Sequence, residues 1–122
     1  MRKLHSEKRI QQFTDILENI ARIERFTAGF DADGLAGNEQ AFYAVLHALL
    51  IISEAARRLG NDAETLAPDQ PWQSIRNLGN VLRHAYDGVD PSIIWRIVYD
   101  DLGGLKRAVE QALVGLQSST GP

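Results

Sequence analysis

The chain has 122 residues, of which 44% are hydrophobic and 24% charged, with a formal net charge of −3 and no cysteine. These values predict one globular domain over residues 1–122 and exclude a disordered or fibrous chain. The lack of cysteine excludes disulfides, thiolate metal sites and cysteine nucleophiles. The net negative charge argues against a broad basic surface that coats nucleic acid, and leaves room only for a local basic groove.

No targeting or membrane segment is expected. The first ten residues, MRKLHSEKRI, are charged but lead into further polar residues, so they do not form a signal peptide. The longest apolar run, Ala48 to Ile52, is far short of a membrane span. Together with the lack of cysteine, this favours a cytoplasmic protein that does not enter the membrane.

The first predicted element is an amphipathic helix from Glu7 to about Phe26. Apolar residues recur in it at spacings of three and four, which marks one buried face: Ile10, Phe13, Leu17, Ile20 and Ile23. Ser6 is its predicted N-cap. The following segment, Thr27 to Asn38, contains three glycines and two aspartates and is predicted to be a loop. His5 precedes the predicted helix and receives no role.

A second long helix is predicted from Glu39 to Leu59, with Asn38 as its N-cap and Gly60 at its end. The middle of this helix, AVLHALLII, is apolar almost all round, so we expect it to be central and contacted on several sides. His47, inside this stretch, is predicted to be a hydrogen-bonded core or interface histidine instead of a ligand.

Residues 61–72, NDAETLAPDQPW, are predicted to form one short helical turn and a proline-marked loop. A third long helix should then run from Trp72 to Ala85 or Tyr86. Trp72 and Trp95 are expected to be core or dimer-interface anchors and not platforms for stacked bases.

The last predicted helices follow Asp90-Pro91, which places an N-cap before a proline at the first helical position. Residues 100–104, DDLGG, should break or kink this fourth helix before a final amphipathic segment from about Leu105 to Leu116. The pair Asp100-Asp101 has no convergent third ligand, so it indicates helix capping more than metal binding. No strand-like alternation competes, and the predicted fold is an all-α, antiparallel bundle of four to five helices.

Polar and titratable side chains concentrate in residues 75–91, IRNLGNVLRHAYDGVDP. Arg76, Asn80 and His84 recur every four residues and share one face of the predicted helix. Arg83 is adjacent to His84 but should point elsewhere unless the helix has begun to unwind. Tyr86 should also point away in an ideal helix, and could return to the same pocket if the helix ends at Ala85.

This set of side chains suits RNA cleavage without a metal. A histidine can move the proton of a ribose 2′-hydroxyl or of the leaving oxygen. An arginine, Arg76 or Arg83, would stabilise charge on the phosphate oxygens, and Asn80 could bind a phosphate or orient the imidazole. The competing interpretation is structural: His84 caps the helix C-terminus and the arginines are solvated. Spacing alone favours the structural interpretation.

Three sequence blocks point to a family: IISEAARRL at 51–59, GNVLRHAYDGVDP at 79–91 and IIWRIVYDDLGGL at 93–105. With them, the chain from roughly Ile10 to Val109 resembles the HepT-like branch of the HEPN superfamily. The resemblance implies a helical homodimer and a metal-independent ribonuclease toxin of a type VII-like toxin–antitoxin pair. It also implies an RNA substrate, no cofactor, and a nucleotidyltransferase antitoxin that silences the toxin by adenylylation.

The resemblance also assigns residues. His84 matches the catalytic histidine of the family, Tyr86 its modified tyrosine, and Asn80 the polar residue four before the histidine. The family usually has an arginine five residues before the histidine, where this chain has Gly79. Neutral groups cannot replace the charge of a guanidinium at a phosphate, so Arg76 or Arg83 must substitute if the chain is active.

Two other functions remain open from the sequence. Gly79 supports a catalytically degenerate HEPN module that binds a nucleotide, RNA or a partner protein. A purely structural helical partner, docked through an exposed apolar stripe, is the third possibility. Glu54, in SEAARRL, is expected either to pair with Arg57 or Arg58 or to take part in the cleft.

Overall fold

The computed structural model describes residues 2–119, apart from the side chains of residues 2–4, 86 and 119. Within this range the chain is helical and contains no strand, which confirms the all-α prediction. The α-helices are α1 (Arg2–Phe26), α2 (Ala32–Ala36), α3 (Glu39–Leu59), α4 (Asn61–Leu66), α5 (Trp72–His84), α6 (Pro91–Arg96) and α7 (Leu102–Ser119). A 3-10 turn, Tyr86–Gly88, follows α5, and a π-helical segment, Ile97–Asp101, joins α6 to α7.

Helix α3 is central: α1 packs along one side of it and α5 along another, while α7 packs on α1. Helices α1 and α5 each run antiparallel to α3, since Arg9 near the start of α1 bonds to Asp62 and Arg76 near the start of α5 bonds to Gly60, both just beyond the C-terminal end of α3. No helix in residues 2–119 is long and apolar enough to cross a membrane.

The buried apolar side chains form one continuous core. Trp72 is 1% exposed and meets Phe13 edge-on, with ring centroids 6.4 Å apart. Its indole N–H donates a 2.7 Å hydrogen bond to the carbonyl of Ala67, which satisfies the polar atom of a buried tryptophan. The predicted role of Trp72 as a core anchor is therefore confirmed. Trp95 is only partly buried and stacks on the exposed ring of Tyr99, with centroids 6.0 Å apart.

The predicted helix caps around α3 and α6 are confirmed. The Asn38 side chain accepts a 2.9 Å hydrogen bond from the Ala41 N–H, and Gly60 follows α3 with a φ of +55°, which favours glycine. Asp90 accepts a 2.9 Å bond from the N–H of Ser92 at the start of α6. These local signals are short-range, so the sequence alone places them correctly.

Two predicted boundaries near the N-terminus are wrong. Helix α1 already includes Arg2, so Ser6 lies inside the helix and His5 does not precede it. The predicted loop contains α2, because Asp31 caps it with a 2.7 Å bond from the Gly34 N–H and Leu35 is fully buried. Burial of one leucine thus holds a short helix in a segment rich in glycine.

The break or kink predicted at residues 100–104 is misplaced: the regular α-helix is interrupted at Ile97–Asp101, which is π-helical, and not at the two glycines. The π-helical segment leads directly into α7, and Gly103 and Gly104 lie inside that helix. Leu102 and Leu105 are buried, and this packing outweighs a helix cost of about 1 kcal/mol for each glycine. Asp100 and Asp101 are exposed within the π-helical segment, so they do not cap a helix as predicted.

Of the two environments predicted for His47, core or interface, the core is wrong. Leu46 and Ala48 on either side of it are buried, whereas His47 is exposed. Helix α3 packs against α1 and α5, and one face of it is covered by neither. His47 lies on this exposed face, one turn after the partly exposed Tyr43. An apolar helix is therefore not enclosed on all sides here.

Candidate active site

His84 is the last residue of α5 and its side chain is exposed. The helix ends there because Ala85 leaves the helical conformation, with a φ of −130° and a ψ of 35°, while its N–H still bonds to the Val81 carbonyl at 2.8 Å. Asn80 is exposed four residues earlier on the same helix, so the two side chains share a face. The end of α5 thus presents an imidazole and an amide to solvent.

Arg83 lies beside Asn80, contrary to the prediction that it points elsewhere. Its guanidinium donates one hydrogen bond to Asn80 Oδ1 and another to Glu54 Oε1. A long side chain in a helix points back toward the N-terminus, which brings Arg83 over the preceding turn. Glu54 Oε2 also accepts a 2.7 Å bond from Arg57. We call these four residues, Glu54, Arg57, Asn80 and Arg83, the Arg83 network.

Glu54 is the centre of this network. The pKa of its carboxyl lies below the usual value, because of the hydrogen bond from Arg57 and the positive charges of Arg57, Arg83 and Arg58, which together outweigh the opposing effect of burial. Glu54 is therefore ionised at neutral pH and holds Arg83 by a charge-assisted bond. The prediction that Glu54 pairs with Arg57 is confirmed, and its second partner was not foreseen.

Arg76 is not brought to the end of α5. Its Nε donates to the Ala56 carbonyl at 3.2 Å and its Nη2 to the Gly60 carbonyl at 2.7 Å. Both oxygens of Glu64 accept further bonds from Arg76, at 2.8 and 2.7 Å. The Arg76 side chain is only 15% exposed. This guanidinium therefore ties α5 to the end of α3 and to α4.

The ion pair between Arg76 and Glu64 makes stability depend on pH. The hydrogen bond from Arg76 lowers the pKa of Glu64 below its usual 4.5. A carboxyl with a lowered folded-state pKa adds stability above the unfolded-state value and loses it as the pH falls through the folded-state value. We expect the free energy of unfolding to fall as the pH drops below about 4.5, with a smaller fall in a Glu64→Gln variant.

Urea denaturation at a series of acidic pH values measures this difference. Part of the fall should remain in Glu64→Gln, because the pKa values of Glu54 and Asp90 are lowered too. Identical pH profiles for the wild type and Glu64→Gln would show that this pair contributes no acid sensitivity.

Gly79 lies at a close approach of α5 to α3. A Cβ built on this residue would be 2.8 Å from the Cβ of Ser53 and 3.4 Å from Nη1 of Arg83. Gly79 and Ser53 are both buried, so neither can shift without moving a helix. A side chain at position 79 therefore does not fit this helix packing, and the Arg83 guanidinium occupies the space beside it.

Replacing Gly79 by alanine is expected to destabilise the protein by about 1 kcal/mol. Alanine gains about 1 kcal/mol in helix propensity, but overpacking against Ser53 costs about 2 kcal/mol. Gly115 provides the matched control, since it is an exposed glycine inside α7 with nothing within 4 Å of a built Cβ. Gly115→Ala should stabilise the protein by up to about 1 kcal/mol. Urea denaturation of both variants measures the two changes in the free energy of unfolding. An equal increase in both variants would contradict the close packing at Gly79.

The side chain of Tyr86, and with it the predicted return of this residue toward His84, lies outside the described part of the structure. Its backbone begins the 3-10 turn two residues after His84, and the neighbouring Ala85 and Asp87 are exposed. Among the described residues, no group of three or more His, Cys, Asp or Glu side chains is placed to hold a metal ion.

Two concave surfaces lie away from His84. An apolar groove of about 350 Å³ runs between α5, α3 and the start of α7, lined by residues such as Ile75, Leu78 and Leu105. A polar pocket of about 430 Å³ lies between α1 and the end of α3, lined by His5, Lys8, Arg9, Gln12, Arg58, Leu59 and Asp62. Sequence reasoning missed this basic pocket, because its residues come from three separate helices.

The fold and the site define an all-α protein that presents a histidine, an asparagine and an arginine at the end of one helix, a set suited to chemistry on a phosphate ester. The profile of the family described as "Ribonuclease HepT-like" matches residues 16–112. The chain therefore belongs to the HepT-like ribonuclease family, a family that acts on RNA.

Curated relatives agree with this assignment. A protein of Methanocaldococcus jannaschii named "Putative RNase MJ1380" is 38% identical over 96 residues, which cover 79% of this chain and 88% of the relative. One of Thermococcus cleftensis named "Probable ribonuclease HepT" is 36% identical over 97 residues, covering 80% and 88%. No solved structure shows a significant match to the chain.

Proposed function

We propose that the protein is a metal-independent RNA endonuclease, the toxin subunit of a type VII-like toxin–antitoxin pair that acts in the cytoplasm as one domain of residues 1–122. The observation that carries this proposal is the exposed His84 at the end of α5, with the Asn80 amide and the Arg83 guanidinium on the preceding turn. Family membership supplies the substrate class, and the side chains supply groups that RNA cleavage needs.

In this mechanism His84 moves a proton. The ribose 2′-hydroxyl attacks the neighbouring phosphorus, the bond from phosphorus to the leaving 5′-oxygen breaks, and a cyclic phosphate remains. Neutral His84 accepts the proton of the 2′-hydroxyl while water protonates the leaving oxygen, or protonated His84 donates a proton to the leaving oxygen while water accepts that of the 2′-hydroxyl. Asn80 orients the phosphate through its amide N–H, because its carbonyl oxygen already accepts a bond from Arg83.

Arg83 is the proposed source of the positive charge at the reacting phosphate. The position at which the family usually has an arginine is Gly79, and the space beside Gly79 is occupied by the Arg83 guanidinium. Arg76, the other candidate from the sequence, has four hydrogen bonds to groups of α3, α4 and the residue between them. Its release would break those bonds, which disfavours it as the catalytic arginine.

Two further parts of the proposal rest on family resemblance. Two copies pair with the His84 of each facing a shared cleft, and the 48% exposed Val81 of α5 is an apolar contact available to such a pair. A nucleotidyltransferase antitoxin transfers the AMP group of ATP to the hydroxyl of Tyr86 and releases pyrophosphate. The location of Tyr86 in a turn between exposed neighbours, two residues from His84, supports modification there as a means of blocking the site.

The test begins with the intact mass of the protein purified alone, which establishes whether the chain carries a modification. The unmodified protein should then cleave RNA in the presence of a metal chelator, and His84→Ala should not. His47→Ala is the matched control, because His47 is an exposed histidine on a different helix; this variant should remain active. Intact RNA after prolonged incubation with unmodified wild type would overturn the proposal.

Gly79 favours a second function, a catalytically degenerate module that binds a nucleotide, RNA or a partner protein. In that case Arg83 does not replace the usual motif arginine, and the unmodified protein binds its ligand without cleaving RNA. The chelator experiment above separates the two functions, since the degenerate module predicts no cleavage by either wild type or His84→Ala.

A further inference from the structure

The polar pocket between α1 and the end of α3 carries more positive than negative charge. Arg9 donates to both oxygens of Asp62, at 3.0 and 3.3 Å, and His5 Nε2 lies 3.3 Å from the same carboxylate. Lys8 and Arg58 line the pocket as well. With His5 neutral, three cationic side chains face one carboxylate in a chain whose net charge is −3. This excess is therefore local and does not follow from overall composition.

Two of these cations are available to a ligand. Among the described residues, Lys8 and Arg58 have no hydrogen bond or ion pair, and both are exposed. Asp62 fixes Arg9 in place by two bonds, so its remaining N–H groups are held in a defined direction.

The pocket continues the surface that carries the Arg83 network. Arg58 lies four residues after Glu54 on α3, so the two share a face and are about 6 Å apart along the axis. Gly79 lies level with Ser53, and the antiparallel α5 then places His84 about 15 Å along α3 from Arg58. The arginines of the network lie between. A flexible single strand of a few nucleotides could therefore reach from His84 to the pocket.

We propose that this pocket binds the phosphate backbone of RNA outside the cleavage site, through Lys8, Arg9 and Arg58. The inference rests on the proposed function, because it takes the substrate class of the family, RNA, as the ligand. Contacts of this kind position a strand without reading its bases. The pocket thus adds affinity for long RNA and leaves the chemistry at His84 unchanged.

The experiment measures RNA binding in a His84→Ala background, where no cleavage occurs. The probe is a fluorescein-labelled single-stranded RNA long enough to span both sites, followed by anisotropy over a range of salt concentrations. Lys8→Gln/Arg58→Gln is compared with Arg22→Gln/Arg25→Gln, which removes the same charge from exposed positions at the other end of α1. Melting temperatures of both variants establish that they remain folded.

Each phosphate contact to a single strand contributes about 0.7 to the slope of log K against log salt concentration. Lys8→Gln/Arg58→Gln should therefore make the slope shallower by about 1.4 and weaken binding about tenfold or more at low salt. The control should keep the wild-type slope. An unchanged slope in Lys8→Gln/Arg58→Gln, or an equal loss in both variants, overturns the inference.

The outcome is separable from that of the proposed function. In an active His84 background, Lys8→Gln/Arg58→Gln should raise KM for long RNA and leave kcat unchanged. Cleavage by the wild type combined with unchanged RNA binding in the variant would reject the pocket and keep the nuclease. Reduced RNA binding in the variant combined with an inactive wild type would reject the nuclease and keep the pocket.

Discussion

Replacing Arg83 by glutamine is expected to lower kcat for RNA cleavage about a hundredfold or more. Loss of one hydrogen-bond donor to the charge that develops in a transition state costs about 10²–10³ in rate, and glutamine also removes the positive charge. The fold should be little affected, because Arg83 is partly exposed and Glu54 keeps its bond to Arg57. Single-turnover cleavage together with urea denaturation measures both quantities.

Two further variants test whether the effect is specific to position 83 and to a guanidinium. Arg22→Gln removes an exposed arginine on α1 and should leave kcat unchanged. Arg83→Lys keeps the charge but loses the planar fork that contacts Asn80 and Glu54 together, so we expect a rate between those of the wild type and Arg83→Gln. Full activity in Arg83→Gln would show that Arg83 does not supply the positive charge missing at Gly79.

The sequence predicts the fold well wherever the signal is local. Periodicity and caps place α3 between Asn38 and Gly60 and start α6 after Asp90, because each signal lies within one turn of the residue it positions. The incorrect predictions concern residues whose structure depends on packing against helices that are distant in the sequence. Leu35 holds α2 together only because other helices bury it, and the exposure of His47 depends on which sides of α3 its neighbours cover.

In the candidate site, too, the local features follow from the sequence and the long-range contacts do not. The placement of Asn80 and His84 on one face follows from a spacing of four residues in one helix. The contact of Arg83 with Glu54 joins positions 29 residues apart, and the bonds of Arg76 reach back 12 to 20 residues. No spacing rule within a helix predicts these contacts. The structure therefore distinguishes two arginines that are equivalent candidates in the sequence. Arg83 lies beside Asn80, and Arg76 bonds to groups at the end of α3.

The second large effect is expected at Arg76. Arg76→Gln should lower the free energy of unfolding by about 2 kcal/mol, because it removes charge-assisted hydrogen bonds to the Ala56 and Gly60 carbonyls at the end of α3. The bonds to Glu64 should contribute less, since the Glu64 side chain is 45% exposed and its ion pair is screened by water. For a chain of this size the melting temperature should fall by about 8 °C.

Below its melting transition, Arg76→Gln should cleave RNA with the kcat of the wild type, which is the opposite of the result expected for Arg83→Gln. Glu64→Gln is the matched control: it removes the ion pair but keeps both carbonyl bonds, so its loss of stability should be smaller than that of Arg76→Gln. A folded Arg76→Gln variant with greatly reduced kcat and unchanged stability would assign the catalytic charge to Arg76. In that case Arg76 would have to leave its partners when RNA binds, and the Glu64→Gln variant, with fewer bonds to break, should cleave RNA faster than the wild type.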